Sequence, residues 1–270
     1  MNEVRYPIYP KDSLLDRLAL KTGFAGPGFC TVCGRMSAFL VKGRYLRESC
    51  HCLSCGSSNR QRQIAYVICK ATRIMTGKKV LSLRHLAQIV DLAIYNTEAH
   101  GALHETLRTT QRYCCSEYFG QEHRGGEIVN GIRHEDLMAL SFADSSFDLV
   151  ISADVLEHIP EPYKAHQEVY RVLKPGGRHI FTVAFYQTEF LDEHRTRMAP
   201  DGSIIYLKEP AYHIDPLRPA EGALVHTIPS LEMLIRLAEI GFRTNLWHLY
   251  KPQLGILGAN AIVFEAIKDR

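Results

Sequence analysis

The stretch Phe147–Val183, FDLVISADVLEHIPEPYKAHQEVYRVLKPGGRHIFTV, decides the fold. Phe147–Ser152 is an apolar run too short for a helix and bounded by polar residues, the pattern of a buried parallel strand. Ala165, Val169, Val172 and Leu173 recur at helical spacing, and Pro175-Gly176-Gly177 stops that helix with a turn. His179–Val183 is β-rich again. Strand, helix, turn and strand predict a βαβ unit with a right-handed crossover. Asp154 to His158 then sit where the first of these strands releases the chain at its carboxyl edge.

Working outward, the segment Asp136-Leu137…Leu140-Ser141-Phe142-Ala143-Asp144-Ser145-Ser146 leads into the strand. Taken in this order and spacing, FDLVIS…VLEH…EVYRVLKPGG…FTV resembles the fourth strand, following helix and fifth strand of class I S-adenosylmethionine-dependent methyltransferases, of the type 11-like kind. The resemblance covers roughly residues 88–185. It implies an α/β fold, a Rossmann-like seven-stranded sheet with helices on both faces. It further implies S-adenosylmethionine as cofactor and in-line transfer of its methyl group to an acceptor.

Two segments compete for the first strand of that sheet. Lys79–Leu83 is followed by no glycine, whereas Val90–Tyr95 runs into Asn96-Thr97-Glu98-Ala99-His100-Gly101 and a helix over Ala102–Arg108. The acidic residue that binds a ribose lies about 20 residues beyond the first loop of a Rossmann-like unit. Glu117, ending a strand over Tyr113–Ser116, fits that distance from Asn96 and not from Leu83, so Val90–Tyr95 is taken as the first strand. The resemblance then makes Asn96, Thr97, Glu98 and Gly101 the cofactor loop, and Glu117 the acceptor of two ribose hydroxyl hydrogen bonds. Ile128–Gly131 is expected as the third strand. Asp136, in preference to Glu135, is matched to the adenine amino group, with the Leu137 amide on a ring nitrogen and Asp154 near the reactive end. The chain departs from the family in keeping only one glycine, Gly101, in the first loop.

His158 is a candidate general base toward an acceptor hydroxyl, because an imidazole titrates near neutrality. An insertion over residues 186–227 is expected to cover the strand ends as a substrate lid. Tyr212, His213 and Asp215 are its polar, aromatic-rich knot and candidate acceptor contacts. Downstream, Ser230–Glu239 reads as a helix capped by Ser230 and stopped by Gly241, followed by an antiparallel pair over Arg243–Tyr250 and Ala261–Ile267.

Upstream, Cys30-Thr-Val-Cys33-Gly34 and Cys52-Leu-Ser-Cys55-Gly56 match the spacing of a four-cysteine zinc ribbon. Four thiolates close a tetrahedral ion completely, which makes such a site structural; iron in a rubredoxin-like site is the rival. Cys50 and His51 adjoin the second knuckle and are read as strand or supporting residues. A helix from Asp12 or Ser13 to Leu20 precedes the ribbon, and Gln61–Met75 reads as a linker helix stopped by Gly77. Cys69 falls on the apolar face of that helix, and Cys114 and Cys115 alternate on a strand, which argues for packing rather than a redox pair. The expected organisation is an arm and ribbon over residues 1–60 and a methyltransferase domain over 61–270, with the linker helix at 61–76.

With 270 residues, 46% hydrophobic and 23% charged, the chain has an ordinary globular composition. A net charge of +3 does not supply the concentrated basic patch of a nucleic-acid binder. No apolar run reaches the roughly 20 residues of a membrane span, and the first residues lack the apolar core of a signal peptide. The expectation is therefore a cytoplasmic enzyme, with no membrane partner, acting on a small-molecule or glycan acceptor. Nucleic-acid methylation is the less favoured acceptor class. A non-catalytic, zinc-bearing scaffold on the same fold is the alternative from a different class, motivated by the glycine-poor loop.

Overall fold

The computed structural model describes residues 13–214 and 220–269. Asp12 and Asp215 lie outside the described residues. The N-terminal part opens with helix α1 (Leu14–Thr22), whose N-cap Ser13 accepts from Asp16 N, and then strands β1 (Phe24–Phe29), β2 (Met36–Val41) and β3 (Cys50–Cys52). These three pair antiparallel in the order β1-β2-β3, with the short helix α2 (Leu46–Ser49) on the connection before β3. Helix α3 (Asn59–Thr76) follows behind a capping box, in which Ser58 and Gln61 exchange side-chain-to-backbone bonds. Gly77, at φ +73°, ends it in the left-handed conformation.

The central sheet begins after helix α4 (Leu83–Ile89), so Lys79–Leu83 is no strand. Its strands are β4 (Ile94–Asn96) and β5 (Tyr113–Cys115), joined through helix α5 (Gly101–Leu107). After the two-residue strands β6 (Ile128–Val129) and β7 (Ile132–Arg133), the chain enters β8 (Phe147–Ala153), helix α6 (Pro162–Val172) and β9 (Leu173–Thr182). Three antiparallel pairs of short strands lie in the insertion: β10 (Glu193–His194) with β15 (Thr227–Ile228), β11 (Thr196–Met198) with β12 (Ile204–Tyr206), and β13 (Tyr212–His213) with β14 (Ala223–Leu224). Helix α7 (Glu232–Ile240) and strands β16 (Phe242–His248) and β17 (Ile262–Lys268) close the chain.

The strand order is β16-β17-β9-β8-β4-β5, parallel from β9 to β5 and antiparallel at β17 and β16. Among the described residues this sheet has six strands, not seven. The segment expected as the third strand, Ile128–Gly131, instead folds back on itself at Asn130-Gly131, where both residues take positive φ (50° and 81°). Asn-Gly favours a tight hairpin turn of this kind, and the turn ends any extended run. What remains beside β5 is a single parallel bridge from Glu117 to His134.

The expected turn at Pro175-Gly176-Gly177 also sits differently. Phe147 pairs with Leu173 and Leu149 with Arg178, so residues 174–177 bulge out opposite Asp148 within the bounds of β9. Ser230 does not cap α7: Leu231 occupies that position, and the Ser230 hydroxyl donates to Phe190 O at 2.7 Å.

Alternation along the strands sends Ile94, Ile151, Ile180 and Val263 to one face and Tyr95, Val150, Phe181 and Phe264 to the other. The first face is covered by α3, α4 and α5, the second by α6 and α7. Val32, Phe39 and Cys50 of the ribbon belong to the same buried cluster as Ile64, Val67 and Ile68 of α3 and the first face of the sheet. Each such side chain, fully buried, contributes roughly 1.5–3 kcal/mol. At Gly255, φ +65°, a Cβ would come within 2.6 Å of the Phe39 ring, a close approach that seats the ribbon on the β16–β17 connection. Among the described residues no helix is long and apolar enough to cross a membrane.

Candidate active site and cysteine centre

The four knuckle cysteines converge. One Sγ from each of Cys30, Cys33, Cys52 and Cys55 lies within 4.8 Å of the others, and Cys30 Sγ and Cys55 Sγ are 3.8 Å apart. A tetrahedral zinc with bonds of about 2.3 Å has edges of about 3.8 Å, so the donor set and spacing fit that ion. Gly34 and Gly56 each take φ +72° and donate back to Cys30 O and Cys52 O at 2.9 and 2.8 Å, which turns each knuckle. Cys50 and His51 stand outside the cluster: His51 Nδ1 lies 3.2 Å from Gly56 O, and Cys50 Sγ accepts from Arg62.

Sequence shows Arg62 only as one of several basic residues around the ribbon, with Arg44, Arg47 and Arg60. Its guanidinium is fully buried, donates to Cys50 O and Gly255 O at 3.0 and 2.8 Å and to Ser57 O, and lies over the Phe39 ring at 4.4 Å. Burial lowers its pKa, and the thiols of Cys50, Cys30 and Cys52 oppose that shift. Four thiolates around a divalent ion carry excess negative charge, and a buried guanidinium beside them offsets it.

The second site lies at the carboxyl ends of the parallel strands. Asn96 ends β4, with Nδ2 donating to Glu98 O and to the Tyr113 hydroxyl at 2.8 and 3.0 Å. Its Oδ1 and the Thr97 Oγ1 are buried and have no hydrogen-bond partner among the described residues. Gly101 starts α5 at φ +77°, with Gln61 Nε2 3.0 Å from where a Cβ would stand. The one glycine of this loop is therefore the one its geometry requires.

Glu117 is buried and faces the same loop: Oε1 accepts from Ala99 N at 2.7 Å and from His100 Nδ1 at 2.9 Å. Of the acidic pair beyond, Glu135 is buried and occupied by Arg133 Nε and Ser141 N at 2.7 and 2.9 Å. Asp136 is half-buried, accepting from Met138 N at 2.8 Å, and Leu137 packs into the core. Burial pushes the Glu98 carboxyl up to about 7, against the pull of Arg60 and His100.

Asp154 follows β8 directly, with φ 53°, an unusual conformation for a residue with a side chain. Its carboxylate is gripped from the ribbon side: Arg47 Nη1 and Nη2 donate to it at 2.6 and 2.7 Å, and Arg60 Nε lies 3.4 Å away. Burial opposes its ionisation, but the Arg60 charge and the Arg47 fork outweigh burial and hold the carboxyl well below the usual range. Glu48 joins the same network through Arg47 and Arg60. Neither arginine stands out by spacing, because the Arg47–Asp154 pair spans 107 positions of sequence.

Residues 82–181 match the family of the methyltransferase domain. The curated relatives are matched over short segments. One, phosphoethanolamine N-methyltransferase 2 of Caenorhabditis elegans, is 42% identical over 48 residues, covering 18% of this chain and 11% of that protein. An uncharacterized methyltransferase of Mycobacterium tuberculosis is 52% identical over 40 residues, 15% of this chain and 16% of its own length. The chain thus spans well under two thirds of the relatives it matches. Among solved structures, an S-adenosylmethionine-dependent methyltransferase of Mesorhizobium loti aligns at 17% identity and a TM-score of 0.41, covering 68% of this chain and 95% of that one.

The insertion brings a further group over the strand ends. His158, on the turn Leu156–His158 after β8, packs its ring at 5.0 Å from that of His213 on β13. His213 Nδ1 lies 3.8 Å from Glu157 Oε1. Burial, and then the nearby Asp154 charge, push the Glu157 carboxyl up to about 7. Tyr212 is exposed and, as the strand neighbour of His213, faces away from this group. Sequence puts Glu157 beside Asp154 and His158 at the reactive end without assigning it a role of its own, and its burial is what marks it.

Proposed function

We propose that this chain is an S-adenosylmethionine-dependent methyltransferase with a structural zinc in its cysteine ribbon, acting on a small-molecule or carbohydrate-linked acceptor. One observation carries the proposal. The matched methyltransferase segment, residues 82–181, is the same segment whose strand ends present Asn96, Glu98, Glu117 and Asp154 together. When bound, the cofactor supplies a sulfonium-activated methyl group, whose carbon–sulfur bond breaks with its electron pair staying on sulfur.

The residues fit that group. The buried Asn96 Oδ1 and Thr97 Oγ1 are polar atoms awaiting a partner, and Glu98 and Asp154 supply carboxylates for an ammonium or sulfonium. Glu117 is the candidate for the ribose hydroxyls, and Asp136 with the Leu137 amide for the adenine edge. The protein's contribution is alignment: a rigid set of strand ends holds the methyl donor, and the insertion holds the acceptor. His158 and His213 are the candidate catalytic groups on the acceptor side.

A second reading, a zinc-bearing scaffold without catalysis, is favoured by one observation: Asp154 is already paired with Arg47 and Arg60. Calorimetric titration of zinc-loaded protein with S-adenosylmethionine and S-adenosylhomocysteine separates the two. The expected result is micromolar binding, weakened at least tenfold in Glu117→Ala. Absence of binding by both ligands would leave the scaffold reading.

A further inference from the structure

Beneath the insertion, three side chains meet that the cofactor site does not use. Glu157 is 1% exposed; Oε1 accepts from Ala184 N at 3.2 Å, and Oε2 has no hydrogen-bond partner among the described residues. A carboxylate oxygen buried in that way calls for a proton or a cation. His158 Nδ1 lies 2.8 Å from Leu224 O. A carbonyl can only accept, so Nδ1 carries the proton, and in the neutral ring Nε2 carries the lone pair, the arrangement by which a backbone carbonyl orients a metal-binding imidazole. The same hairpin that supplies this carbonyl supplies the third group. Leu224 stands opposite Tyr212 on paired β13 and β14, and the next residue, His213, brings its ring over His158. One ligand atom from each of Glu157, His158 and His213 lies within 4.8 Å of the others.

We propose that Glu157, His158 and His213 form a second metal site, for a divalent cation of the zinc class, open toward the acceptor. Two imidazoles and one carboxylate suit such an ion, and these three ligands, counted among the described residues, leave coordination positions available, unlike the four-cysteine set. Asp154, three residues earlier, is committed to Arg47 and Arg60 and is no part of the set.

The use of the site rests on the methyltransferase reading; its existence does not. A cation there lowers the pKa of an acceptor hydroxyl. The hydroxyl proton leaves to solvent, the oxygen lone pair bonds to the methyl carbon, and the carbon–sulfur bond breaks with its pair on sulfur. The acceptor atom is then an oxygen, and His158 is a ligand rather than a general base.

The test is calorimetric titration with Zn2+ alone of protein whose cysteine centre already holds one equivalent, in wild type, Glu157→Gln and His213→Ala. The expected result is a second site in wild type, weakened at least tenfold in each variant while the cysteine-held equivalent is retained. His213 is 44% exposed, so its truncation keeps the test alive should Glu157→Gln fail to fold. A wild type with no second site, or one unchanged in His213→Ala, overturns the proposal. With Co2+ in the second site, acetohydroxamate should shift the visible absorption bands; an unchanged spectrum overturns the open positions. Titration of the same samples with S-adenosylmethionine keeps the two proposals apart. Cofactor binding without a second zinc overturns the metal site alone, and a second zinc without cofactor binding overturns the methyltransferase reading alone.

Discussion

His166 and His179 face each other across α6 and β9, both fully buried, with ring centroids 5.5 Å apart. Ser152 Oγ lies 2.8 Å from His179 Nε2, but neither Nδ1 has a partner among the described residues. Burial pushes His166 down to about 3; burial, with His166 beside it, pushes His179 well below its ordinary value. An unfolded imidazole protonates near 6.5, so below that pH the unfolded chain binds more protons than the folded one. Stability is then intact above pH 6.5 and falls as the pH drops toward 3, each histidine adding a slope of up to ~1.4 kcal/mol per pH unit. In denaturant unfolding between pH 7 and 5, His166→Leu should flatten this slope by about one proton; an identical slope would refute the assignment. At this scale the sequence is uneven as a guide. The cysteines are legible because their spacing is their chemistry. Glu157 and Arg62 are not, because what distinguishes them is burial among partners distant in the chain.

At the scale of elements, the βαβ unit through β8, α6 and β9 is legible because apolar period and turn residues agree there. The third strand is not, and the reason is local. Asn130-Gly131 carries a turn preference stronger than the strand preference of the apolar residues around it, so the chain reverses and only the Glu117–His134 bridge marks the strand's place. The single glycine of the first loop matters for a related reason. Gly101→Ala adds a side chain at φ +77° and within 3.0 Å of Gln61 Nε2. We expect a loss of roughly 1–2 kcal/mol, lowering Tm by about 2–8 °C at 2–4 °C per kcal/mol. A thermal melt checks this, and an unchanged or raised Tm would show that the loop does not need the left-handed residue.

For the whole molecule, the ribbon expected over residues 1–60 and the sheet contribute side chains to one buried cluster. α3 begins at Asn59 and buries Ile64, Val67 and Ile68 against both the ribbon and the sheet, so the cysteine centre and the strands share one core. Unfolding as one unit is the expectation for such a shared core. Chelation of the zinc proposed for the cysteine centre should therefore lower a single transition rather than remove a first, separate one. A structural zinc contributes many kcal/mol of folding free energy, so the shift should exceed ~10 °C. Two resolved transitions in calorimetry, one of them insensitive to chelator, would show the parts to be independent.

The Arg47 fork on Asp154 ties α2, which leads into the second cysteine knuckle, to the end of β8. That pair is a direct physical link between the ribbon and the cleft. Whatever factor the ribbon metal adds to the affinity of a ligand at Asp154, that ligand must return to the affinity for the metal. On the proposed reading, occupancy of the cleft would then bear on how tightly the ribbon holds the zinc proposed for it, so that metal retention would report on cofactor supply.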